Sequence, residues 1–195
     1  MTVLYVKRES ENQKTQLVAL TQKTRDDQQV ITGSDSPLIT ADINHQRLHE
    51  GRAFFAYHVE NGGTPLANGA NLDIVFAAGP GTTPHMTVAA FCGGDAEFFL
   101  YEGATSTGGT PFVPHYRNRT VAASSNVAMV IKPTITSTGT ELLEEFLPGG
   151  TKKKAGGGGG EALEWVLSPL TNYLLRLTNI SGSAQIAELS LEWYE

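Results

Sequence analysis

One cysteine, Cys92, stands in 195 residues. No disulfide can therefore close within the chain, and no cysteine cluster can hold a metal, which suits folding in a reducing compartment. Charge is scarce as well: Asp, Glu, Lys and Arg make up 17% of the chain, with a formal net charge of -6. A general phosphate-backbone binder needs a positive field, so nucleic acid is not an expected partner. Surfaces this poor in charge fit a protein covered by neighbouring subunits. No stretch approaches the roughly 18 uninterrupted apolar residues of a membrane span. Residues 1–8 also lack the apolar run and cleavage site of a signal peptide. The expectation is a soluble protein that is not exported by the ordinary route and has no membrane partner.

Hydrophobic residues make up 40% of the chain, enough for one domain with a full core, or one domain and an arm. Residues 1–36 read as an extended N-terminal arm. From residue 7 they are mostly Gln, Asn, Lys, Asp, Thr and Ser, and the apolar points Leu17, Val18, Leu20, Val30 and Ile31 fit neither a helical stripe nor a sustained alternation. These five are the candidate partner contacts of the arm; the alternative is a short amphipathic helix over residues 13–23. Residues 37–195 form the expected domain. From Ala53 the chain falls into short strands with turn residues between them: Ala53–Glu60, the alternation of Leu72, Ile74 and Phe76, Met86–Phe91, Glu97–Tyr101, Val127–Ile131, Tyr173–Leu177 and Ile186–Tyr194. Gly/Pro punctuation between short strands predicts an all-β sandwich or jelly roll rather than βαβ units. In the last strand Ala187, Leu189, Leu191 and Trp193 alternate with Glu188, Ser190 and Glu192, the period of a strand with one buried face.

Several stretches suggest chemistry. Seven of the 21 glycines fall at positions 149, 150 and 156–160, beside Lys152-Lys153-Lys154. A phosphate-binding P-loop needs its lysine after the glycines, between a strand and a helix. Here the order is reversed, and residues 148–161 read as a flexible hairpin tip. His45 and His49 lie four apart, so on a helix they would share a face able to hold a metal. The glutamate of HExxH is replaced by Gln46 and no third ligand is near in sequence, so the segment reads as a turn leading into the Phe54-Phe55 strand, with no metal site. No GxSxG elbow occurs, and Cys92 ends an apolar strand, where a free cysteine serves as a small buried hydrophobe. Neither a catalytic site nor a cofactor is expected.

Taken as a set, His45…Leu48-His49-Glu50-Gly51…Phe54, Pro84-His85, Leu100-Tyr101-Glu102-Gly103 and His115-Tyr116-Arg117-Asn118-Arg119 form a spaced pattern. It continues through Gly139-Thr140-Glu141-Leu142, Pro148-Gly149-Gly150, Glu164-Trp165-Val166-Leu167, Tyr173-Leu174-Leu175-Arg176 and Glu192-Trp193-Tyr194-Glu195. Over residues 37–195 this pattern resembles a family of tailed-bacteriophage virion structural proteins encoded among the head genes. The resemblance implies a non-enzymatic capsid decoration (cement) protein with a β-sandwich or jelly-roll fold, assembled in the bacterial host cytoplasm and carried on the virion. Its implied partners are the major capsid protein and further copies of itself at a two-fold or three-fold axis, with a trimer favoured over a dimer. A carbohydrate-binding tail or receptor module is the alternative and would need exposed aromatics on one face. A cupin-type enzyme shares the architecture but would need two histidines and a carboxylate converging inside the barrel.

The stretch Pro111–Thr120 remains. Arg117 and Arg119 occupy alternate positions, so an extended segment would project both to one face while Asn118 points away. Pro111 and Pro114 keep the approach extended. Glu102 is the expected bidentate carboxylate for one arginine. With His115, these residues are predicted to form a structural network that pins the loop 103–120.

Overall fold

The computed structural model describes residues 43–121, 124–149 and 163–195. The predicted arm with Leu17, Val18, Leu20, Val30 and Ile31 lies outside them, as do the lysine and pentaglycine runs. Within the described residues the protein is mostly β. A helix, α1 (Ile43–His49), precedes β1 (Ala53–Glu60), β2 (Asn71–Ala77), β3 (His85–Cys92) and β4 (Ala96–Glu102). Short strands follow: β5 (Thr105–Thr107), β6 (Thr110–Phe112), β7 (His115–Tyr116), β8 (Ala128–Ile131) and β9 (Thr134–Ser137). The chain continues through β10 (Thr140–Leu147), β11 (Glu164–Val166), β12 (Asn172–Asn179) and β13 (Ala187–Tyr194).

The pairing is antiparallel and nested. β1 pairs with β13, β2 with β12, β3 with β11 and β4 with β10. β13 also lies against β3, and β12 against β4. The result is a smaller sheet, β11-β3-β13-β1-β7, a larger one, β10-β4-β12-β2-β8-β6, and a separate ribbon, β5-β9.

The hydrophobic alternation explains why these segments settle where they do. Ala187, Leu189, Leu191 and Trp193 on β13 are buried, and the intervening Glu188, Ser190 and Glu192 are not. They join one cluster fed by both sheets: Phe54, Met86, Leu191 and Trp193 from the smaller, Leu72, Phe76, Leu100 and Leu175 from the larger. Trp193 is its hinge point, stacked on Phe54 at 5.7 Å and edge-on to Phe76 at 5.2 Å. Its indole NH donates to Ser125 Oγ. Each such side chain contributes about 1.5–3 kcal/mol on burial. Cys92 is buried in the same cluster, in keeping with its reading as a small hydrophobe.

β2 departs from simple alternation because its outward residues are buried too. Val75 and Leu174 sit with Ala104 in a second cluster, against which Tyr101 and Ile135 pack. Ala104 and Ile135 belong to the β5–β9 ribbon region, which thus covers this part of the larger sheet. Beside it the cross-strand pair Arg176 and Asp73 makes two parallel hydrogen bonds of 2.8 Å. That hydrogen bonding raises the guanidinium pKa against the opposing effect of burial.

A second ionic group ties the sheets together. Glu60, at the end of β1, is 5% exposed. It accepts from Lys132 Nζ at 2.6 Å and from His58 Nε2 at 2.8 Å. Lys132 follows β8 in a left-handed conformation, φ 52°, and its NH donates to the Asp73 carbonyl. Burial pushes the Glu60 carboxyl up, yet the hydrogen bonds from Lys132 and His58 leave it below its ordinary value.

Two expectations are corrected. Residues 43–49 form a helix rather than a turn. Gly51, with φ 74°, ends it: the Arg52 NH reaches the Arg47 carbonyl and the Gly51 NH the Leu48 carbonyl, a Schellman cap. And β10 and β11, which flank the glycine-rich segment, belong to different sheets. The chain between them therefore joins the sheets instead of closing a hairpin; its residues 150–162 fall outside the described set.

Candidate functional site

The Pro111–Thr120 stretch runs from the edge of the larger sheet to the edge of the smaller one. Phe112 ends β6 in the larger sheet, and after Pro114 the two residues of β7 pair with β1, His115 opposite Phe55 and Tyr116 opposite Phe54. The Arg117 NH donates to the Ala53 carbonyl, extending that pairing by one bond. The strand ends there, so the expected alternation of 117 and 119 does not continue. Arg117 Nη1 meets Glu192 Oε2 on β13 at 3.0 Å. Arg119 lies over the Tyr116 ring, 4.7 Å from its centroid. Asn118 turns back: its Nδ2 donates to the His49 carbonyl at 3.1 Å, and its Oδ1 accepts from the Thr120 NH and hydroxyl.

Glu102 takes no part in this network. It accepts from the Tyr173 hydroxyl at 2.8 Å, and that oxygen in turn accepts from the Ser168 NH at 2.9 Å. The reason is topological. Glu102 closes β4 in the larger sheet, whereas Arg117 emerges beside β1 and β13 in the smaller one. Sequence proximity favoured Glu102; Glu192, 75 residues along the chain, is the carboxylate that folding brings near. Nothing local in the sequence marks Glu192 as its partner beyond its outward position on β13.

His115 looks onto aromatic rings: Phe112 edge-on at 5.6 Å and Tyr57 at 6.5 Å. Tyr57 is 47% exposed and stacks on Phe55 at 5.7 Å. In register beside Tyr57 lie Ser190 and then Ala89. Ala89, Phe91, Glu188 and Ser190 line a shallow groove of 230 Å³. The outer face of the smaller sheet thus carries an aromatic and small-residue patch.

Towards the other end of the same face, His85, Glu164 and Tyr194 form a compact network. The Tyr194 hydroxyl donates to Glu164 Oε1 at 2.7 Å, and His85 Nδ1 lies 2.7 Å from the same oxygen. The imidazole stacks on the Tyr194 ring at 4.6 Å. These hydrogen bonds, from Tyr194 first and His85 second, hold the Glu164 carboxyl below its usual range. A cleft of 130 Å³ opens between this network and the Arg117–Glu192 pair. The cleft offers two carboxylates, a guanidinium and an imidazole, all already hydrogen-bonded, and Thr87, whose hydroxyl is the only aliphatic one lining it. Among the described residues no three His, Cys, Asp or Glu side chains converge to hold a metal. Nor is any described helix long and apolar enough to cross a membrane.

The chain matches no protein-family model, and neither a curated protein nor a solved structure matches it.

Proposed function

We propose that the protein is a non-enzymatic virion structural protein of tailed bacteriophages, a capsid decoration protein that binds the assembled head and stabilises it. The proposed architecture is a jelly roll. Its support is the nested pairing, in which β1-β13-β3-β11 and β2-β12-β4-β10 follow the strand order of a hairpin rolled into two facing sheets. Jelly rolls serve in viral capsids, lectins and cupins. The cluster between these sheets is filled by Leu72, Phe76, Met86, Leu100 and Trp193, side chains that pack rather than ligate. The spaced motifs that resemble the virion family favour the first of the three uses.

One observation carries the docking role: the shallow outer face of the smaller sheet, where Phe55 and Tyr57 of β1 and Ala89 and Phe91 of β3 flank Glu188, Ser190 and Glu192 on the central β13. Half-exposed aromatics amid small residues suit contact with another protein surface. The proposed partners are the major capsid protein and further copies of this chain, as a trimer at a symmetry axis. The proposed location is the outer surface of the capsid. A decoration protein gains affinity by touching several capsid subunits at once, so it binds expanded shells strongly and free subunits weakly.

A second reading draws on the same patch. Phe55 and Tyr57, stacked and accessible beside His115, form the aromatic platform that a tail-borne carbohydrate-binding module requires. Imaging bare capsids mixed with the purified protein, with a glycan array in parallel, separates the two. Regular density over the shell is the expected result. Density confined to the tail, or a sugar hit with a bare shell, would overturn the decoration reading.

A further inference from the structure

We propose that His45 and His49 form a two-imidazole chelate for a divalent transition-metal ion. The two residues lie four apart on α1, and their Nε2 atoms face each other at 3.1 Å. Both side chains are exposed, so an ion reaches them from solvent. In the metal-free protein this separation is a hydrogen bond in which one ring donates its Nε2–H to the bare Nε2 of the other.

The same separation is the bite of a chelate. Metal–imidazole bonds run about 2.0–2.1 Å. Two such bonds spanning 3.1 Å subtend an angle of about 98° at the ion, between the octahedral and tetrahedral values. An ion binds between them once the rings tilt so that both Nε2 lone pairs aim at it, the shared proton passing to the Nδ1 of its own ring. The backbone beneath is fixed at its C-terminal end, by the Schellman cap at Gly51 and by Asn118 Nδ2 on the His49 carbonyl.

Among the described residues, neighbouring groups add no third ligand. Glu50 is engaged by Gln46 Nε2 at 2.8 Å and by Arg47 Nη1 at 3.3 Å. Water fills the remaining positions, as it does where a metal is held by few protein groups. Two nitrogen donors with an open sphere select imidazole-preferring ions, with copper(II) tightest and zinc weaker.

The test uses the full-length protein and zinc chloride, followed by calorimetry and by the imidazole NMR signals. One ion per chain is expected at this pair, with the His45 and His49 ring signals moving together. His45→Gln and His49→Gln should each weaken binding roughly tenfold or more, because the second imidazole closes the chelate at high effective concentration. Both positions lie at the surface, and unchanged melting curves would show that the variants remain folded. Undiminished zinc affinity in both single variants, or zinc shifting other histidines and leaving these two still, would overturn the proposal. So would the absence of any zinc binding at millimolar concentration, which would leave the pair as a hydrogen bond alone.

Discussion

At the scale of single residues, burial separates the Arg117–Glu192 pair from the Lys132–Glu60 pair. Arg117 and Glu192 are each about half exposed, 46% and 50%. Arg117→Ala should therefore cost under about 1 kcal/mol in denaturant unfolding, with little change in the fold. Lys132→Met should cost about 1 kcal/mol or somewhat more, because Glu60 keeps its burial but loses one of two donors. The pH dependence has a definite sign. Glu60 and Glu164 both titrate below their ordinary value of 4.5 when folded. Their contribution is present above that value and disappears as pH falls through the lowered one. Thermal melts from pH 6 downward should show a loss that Glu164→Gln reduces. Trp193→Ala should be far more damaging, about 3–5 kcal/mol, since it empties the contact between the sheets at Phe54 and Phe76.

At the scale of elements, what the sequence made legible follows from how cleanly each strand alternates. β13 alternates cleanly and β1 stands out as a continuous aromatic and apolar run, and the sequence boundaries agree with both within one residue. β10 went unread because Leu142-Leu143 and Glu144-Glu145 break its period. The cause is a bulge between Glu141 and Leu143 where it pairs with β4. β5, β6, β7, β9 and β11 have two to four residues each, too few for any periodicity to register. α1 was masked by its length, only seven residues, and by the absence of an apolar stripe. The Arg117 partner was illegible for another reason: it depends on which sheet each strand joins. Gly139 gives an element-level test. Its φ is 80°, and an added Cβ would collide with the Glu102 carbonyl oxygen where β10 begins beside β4. Gly139→Ala should lower the melting temperature by several degrees, combining left-handed strain of about 1–2 kcal/mol with that overlap.

At the scale of the whole molecule, β10 is the one long edge strand among the described residues. It has eight residues at the margin of the larger sheet, with Phe146 57% exposed. Its glutamates and its bulge discourage indiscriminate strand addition. If copies of the chain assemble through this edge, Phe146→Lys should leave the circular dichroism spectrum unchanged and shift the light-scattering mass towards that of a monomer. The nested pairing has a consequence of another kind, in time. β1 ends at residue 60 and its central partner β13 begins at 187. At about 5–20 residues per second, a ribosome takes on the order of ten seconds to make the intervening chain. Throughout that interval Phe54 and Ala56 lack the strand that buries them, and the smaller sheet has no centre. Most of its contacts are non-local, so spontaneous refolding should fall in the millisecond-to-second range. Nascent chains arrested before residue 187 should be readily cut by protease, and resistance should appear abruptly once β13 has left the exit tunnel.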